Sequence, residues 1–83
     1  MTPLTSADKR GIAALFLELK SAIQTSDPST TAKYEALRAA YTGRSRQFVD
    51  SFEKSHDKLL WVGQLEIFLS EEIEPQFWRP AQL

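Results

Sequence analysis

At 83 residues the chain has room for one domain with a small core. It has no cysteine and a single histidine, His56, which excludes disulfides, thiolate catalysis, cysteine-type zinc sites and any three-histidine metal site within one copy. Ten Lys and Arg stand against eleven Asp and Glu, so the net basic charge that marks nucleic-acid or membrane-surface binders is missing.

The first predicted element runs from about Ser6 to Thr25. Ile12, Leu15, Phe16, Leu19 and Ile23 recur at helical spacing and form one apolar stripe. Thr5 or Ser6 is the expected N-cap, and Asp8 suits the positive end of the helix dipole. Leu17 lies off the stripe, which suggests burial on more than one side. The apolar run after Lys9 and Arg10 resembles a secretory signal only briefly, because Glu18 and Lys20 interrupt it. No stretch approaches the roughly 18 apolar residues of a membrane span. A cytoplasmic location without membrane contact is the expectation.

Gln24 to Ser29 breaks the periodicity. Asp27 and Pro28 predict a new start, with Asp as N-cap and Pro at the first helical position. The second helix carries Tyr34, Leu37 and Tyr41 on one face, with Ala39 and Ala40 leaving space for a close neighbour. Gly43 is expected to end it in a left-handed turn.

Ser45 can cap a third helical stretch with Phe48, Val49 and Phe52, and Ser55-His56-Asp57 marks a second interruption. Leu59, Leu60, Trp61, Val62, Leu65, Phe68, Leu69 and Ile73 then form a wide apolar face, up to Pro75. The competing arrangement is one long kinked helix, since Tyr34, Tyr41, Phe48, Val62 and Leu69 keep a seven-residue rhythm. Polar Arg44, Ser51 and Ser55 on its seams favour a break near Gly43. Residues 74–83 read as an extended tail with Phe77, Trp78 and Arg79 between Pro75 and Pro80.

Three constellations bear on function. Glu53 and His56 have the Glu-x-x-His spacing of di-metal helical bundles, with Glu18 as the further carboxylate a dimer would need. Lys33, Arg38, Arg44 and Arg46 form a basic strip suited to phosphates. Trp61, Phe68, Phe77, Trp78 and Arg79 are of the types enriched at protein interfaces. Glu66, Glu71, Glu72 and Glu74 crowd the unfavourable end of the last helix dipole. Glycines are isolated, so no phosphate loop exists, and no nucleophile–base pair is recognisable.

The expectation is therefore an all-α domain over 1–83, a three-helix bundle or a hairpin with one long kinked helix, dimerising through its last helix. Its expected role is that of a non-enzymatic adaptor, assembly factor or inhibitor without a cofactor, docking helical apolar surface and the aromatic tail on another protein. Nucleic-acid binding through the basic strip is the second reading, and a dimeric di-metal carboxylate protein the third.

Overall fold

Capping chemistry sets the first helix. In the computed structural model, which describes residues 4–78, α1 spans Ser6–Gln24. The Thr5 hydroxyl accepts from the Asp8 N–H at 3.1 Å, and the Asp8 carboxylate accepts from the Thr5 N–H at 3.1 Å. This reciprocal pair satisfies two donors that a helix start leaves open. Ile12, Phe16, Leu19 and Ile23 are buried, with Ala13 and Ala22 widening the same stripe. Leu17 is 39% exposed, so α1 buries one side only, contrary to the expectation from its off-stripe position.

The helix ends on a Schellman motif that no glycine announces. The Asp27 N–H donates to the Ala22 carbonyl at 2.8 Å and the Ser26 N–H to the Ile23 carbonyl at 3.3 Å. This places Ser26 at φ 53°, the left-handed conformation usually given to glycine. Asp27 then organises the turn rather than capping a helix. Its carboxylate accepts from the Ser29 N–H at 2.8 Å and the Ser29 hydroxyl at 2.6 Å, and the hydroxyl bond holds it below the usual carboxylate range. Helix α2 accordingly starts at Thr30, two residues after the Pro28 position expected, and runs to Ala40. Tyr34 and Leu37 are buried, whereas Ala39 and Ala40 face solvent and give no close approach.

The chain breaks where Gly43 predicts, for a different reason. Tyr41 is extended at φ −92° and ψ 122°, and no described glycine has a positive φ. What Gly43 supplies is space: a Cβ there would lie 2.5 Å from two carbons of the Tyr41 ring and closer still to Glu72 Oε2. The Tyr41 hydroxyl donates to Glu72 Oε1 at 2.5 Å and accepts from the Ser45 N–H at 2.9 Å. Burial first, and the Glu72 bond second, push this phenol above its ordinary pKa.

Short helix α3 (Arg46–Asp50) continues into a 3-10 turn, Ser51–Lys54. Ser55 is extended, so the second interruption is real and the single long helix does not form. Helix α4 spans Lys58–Glu72, capped by the Asp57 carboxylate, which accepts from the Leu60 N–H at 3.0 Å. Pro75–Phe77 form a last 3-10 turn. Thus the residues described hold four α-helices and no strand.

The core joins Phe16 and Leu19 of α1 to Leu37, Tyr41, Val49, Phe52, Trp61, Leu65, Leu69 and Ile73. Each such side chain contributes about 1.5–3 kcal/mol on burial. No buried side-chain nitrogen or oxygen lacks a hydrogen bond among the described residues.

Candidate interaction face on the last helix

Helix α4 is apolar on both sides, and the two sides have different fates. Trp61, Val62, Leu65 and Leu69, at i, i+1, i+4 and i+8, point into the core. Leu59, Leu60, Ile67 and Phe68 remain 56, 59, 62 and 40% exposed. Leu60, Ile67 and Glu71 fall at i, i+7 and i+11 and share the outermost stripe, with Gly63 and Gln64 between them. Leu59 and Phe68 flank that stripe on opposite sides.

An aromatic row ties the face to the core. Tyr34 stacks on Phe52 at 4.3 Å between centroids, and Phe52 meets the Trp61 ring at 4.9 Å, edge to face. Phe48 stacks on Trp61 at 5.9 Å and contacts Phe68 at 5.1 Å. The Trp61 indole N–H donates to the Phe48 carbonyl at 3.1 Å and to the Ser51 hydroxyl at 3.2 Å. Phe68 is thereby held on a rigid support at the surface. A cleft of about 200 Å³ opens between the 3-10 turn and α4, lined by Phe48, Ser51, Lys54, Leu60, Trp61 and Gln64 among others.

The residues expected to bind a partner divide sharply. Trp61 is 3% exposed and belongs to the core, because its position shares the stripe of Leu65 and Leu69. The tail is not extended through Trp78. Pro75 opens a 3-10 turn that buries Phe77 against α1, where the Arg10 guanidinium and the Lys9 ammonium lie 5.1 and 5.7 Å from its ring centre. Trp78 sets its edge on Phe16 at 5.5 Å and donates its indole N–H to the Ile73 carbonyl at 3.1 Å. Arg79 lies outside the described residues. Among the described members of the expected set, only Phe68 keeps an exposed position, while Leu59, Leu60 and Ile67 are exposed as well.

The basic strip is largely tied down. Lys33 pairs with Glu18 at 3.3 Å, Arg38 with Asp50 at 2.8 Å, and Arg46 with Asp50 at 3.3 Å. Arg46 also donates to the Tyr41 carbonyl at 3.1 Å. The Arg38 hydrogen bond above all holds Asp50 below its usual pKa. Arg44 is exposed, and its backbone N–H donates to Glu72 at 3.3 Å.

The metal constellation is not assembled. Glu53 ends in the 3-10 turn and Ser55 is extended, so Glu53 and His56 do not share a helix face. Glu18 is occupied by Lys33, and no group of three His, Asp or Glu among the described residues is placed to hold a metal ion. His56 instead borders an open cleft of about 570 Å³ beside Ile23, Asp27 and Leu59.

The acidic cluster also resolves into partners. Glu66 pairs with Lys20 at 2.8 Å, Glu72 with the Tyr41 hydroxyl, and Glu74 with Lys9 at 2.8 Å. The Lys9 bond holds Glu74 below the usual carboxylate range. Glu71 makes no hydrogen bond or ion pair among the described side chains, and neither does Lys54.

No described helix is long and apolar enough to cross a membrane. Compared with protein-family models, curated proteins and solved structures, the chain matches none.

Proposed function

We propose that this protein is a non-enzymatic interaction module that binds an amphipathic helix of another protein chain along the outer face of α4. The observation that carries this reading is the exposed pair Leu60 and Ile67, with Phe68 beside it and Leu59 on the other flank, on a helix whose opposite side already fills the core. Leu60, Ile67 and Phe68 lie on one side of α4, and at roughly 150–250 Å² per large side chain their exposures amount to about 300 Å², within the range of the largest apolar patch on a small protein, which often has a function. The supporting geometry is that of helix-in-groove recognition, with anchors spaced over two turns and a cleft alongside. The Phe77-Trp78 turn contributes stability rather than contact, since both side chains pack on α1 and its neighbours.

The test is a double substitution, Leu60→Asp with Ile67→Asp. Both positions are exposed, so the helical fold of a single copy is retained, as circular dichroism would read. Cross-linked partners recovered with the native chain are lost with the variant. Recovery of the same partners by both chains overturns the reading. Binding through the basic strip is not favoured, because Lys33, Arg38 and Arg46 already face internal acceptors.

A further inference from the structure

We infer that the helix received by this face is the α4 of a second copy, packed antiparallel about a two-fold axis between Gly63 and Gln64. The inference rests on the interaction-face reading above and names its partner. Three observations carry it.

The first is charge. The outer face has one cation at its start, Lys54, and one anion at its end, Glu71, and neither has an ion-pair partner among the described residues. Antiparallel pairing sets Leu60 opposite the partner's Ile67 and brings Lys54 toward the partner's Glu71, twice by symmetry. Parallel pairing would set like charges together. The antiparallel arrangement also lays the acidic end of α4 beside the positive helix start of the partner, which relieves its conflict with its own dipole.

The second is Gly63. A glycine inside a helix is unfavourable, and at Gly63, as at Gly11 of α1, a Cβ would meet nothing within 4 Å, so what sets Gly63 apart is its place on the outer face. It lies between Leu60 and Ile67, at the point where two such helices cross. There it permits close backbone approach.

The third is area. A stable dimer buries about 800 Å² per partner, a little over half of it apolar. Leu60, Ile67 and Phe68, on one side of α4, supply about 300 Å² of that share at roughly 150–250 Å² each. The cleft bordered by Lys54, Leu60 and Gln64 lies on the flank that Phe68 occupies further along, so each copy offers its Phe68 to the other's cleft.

Sedimentation equilibrium on the full chain tests this. The native protein is expected to be a dimer. Leu60→Asp with Ile67→Asp abolishes it, and Gly63→Gln, which favours the helix but fills the crossing point, weakens it. Lys54→Glu and Glu71→Lys each weaken it about tenfold, since two pairs turn repulsive at once. An equimolar mixture of those two single variants recovers native affinity as a heterodimer.

Self-association weaker than about 1 mM overturns the second copy as occupant and leaves the helix-binding reading to its own capture test. A dimer indifferent to Leu60→Asp with Ile67→Asp overturns the α4 face as the seam between copies and likewise leaves the helix-binding reading to its capture test. A dimer that needs Leu60 and Ile67 but gains nothing from the charge-reversed mixture overturns the antiparallel arrangement.

Discussion

Helices α1 and α4 contribute comparable inner faces and leave different outsides. The outward side of α1 is Ser, Asp, Arg, Glu and Gln around a lone exposed Leu17, whereas α4 turns Leu59, Leu60, Ile67 and Phe68 to solvent. The inner stripe of α1 is thus accounted for by the fold of one copy. The apolar residues of α4 are accounted for only by half. Stability explains a buried apolar residue, and it leaves several exposed on one helix for another cause.

The largest expected effect separates the two sides of α4. Leu69→Ala removes a fully buried side chain and costs about 2–5 kcal/mol. Ile67→Ala, two residues earlier on the outer face, changes the stability of one copy by less than about 0.5 kcal/mol. Urea unfolding at several protein concentrations checks both. A cost for Ile67→Ala that grows with concentration would sharpen the comparison, and an equal cost for both substitutions would break it.

Next comes the clasp at the end of α4. Gly43→Ala pushes a methyl into the Tyr41 ring and Glu72, for about 1–3 kcal/mol. Tyr41→Phe leaves the Ser45 N–H without its acceptor and costs about 1–2 kcal/mol. Thermal unfolding reads both, and if neither moves the midpoint the outer face is the only special feature of α4.

Smaller gains are expected on α1. Ser26→Gly releases a left-handed serine and stabilises by about 1 kcal/mol. Gly11→Ala, where a Cβ meets nothing within 4 Å, gains somewhat less than about 1 kcal/mol. Gly63→Ala should match Gly11→Ala in dilute solution and lose that advantage in concentrated solution. Identical gains at every concentration would remove the distinction between the helices.

The smallest effect is acid sensitivity. Asp50 and Glu74 both titrate below their ordinary values of 3.8 and 4.5, chiefly through hydrogen bonds from Arg38 and Lys9. A carboxylate depressed on folding stabilises above its unfolded pKa and loses that contribution as pH falls through the folded one. Melting temperature should therefore hold steady above about pH 5 and fall below about pH 4. Asp50→Asn should flatten part of that fall. The Lys9–Glu74 pair ties α1 to the segment after α4, so a Glu74→Gln chain shows the share due to that link.

Local chemistry was legible in the sequence. The Thr5 or Ser6 cap and the stripe from Ile12 to Ile23 place α1 to within a residue at each end, while the return bond between Asp8 and Thr5 is seen only in the fold. The breaks near Gly43 and Ser55 were also legible, because polar residues interrupt both apolar seams. Long-range partners were not. Nothing local tells that Phe77 meets Lys9 and Arg10, or that Glu72 meets Tyr41 across 31 positions. The run Leu60, Trp61 and Val62 hides which of the three faces inward, yet the spacing of Trp61 to Leu65 and Leu69 carries the answer. Leu59, Leu60 and Ile67 were visible as apolar residues, but only the packing of Phe48 and Phe52 against Trp61 decides which side of α4 is covered.

The crowding at Gly43 has a consequence for descent. No side chain fits between the Tyr41 ring and Glu72, so any lineage that keeps this clasp must keep glycine at that position or change all three residues together. The open space around Gly63 imposes no such restriction on a solitary copy. Drift there would be free for a chain that works alone and arrested for one that works in pairs, so the pattern of inherited variation at these two glycines records the fold at one and the company it keeps at the other.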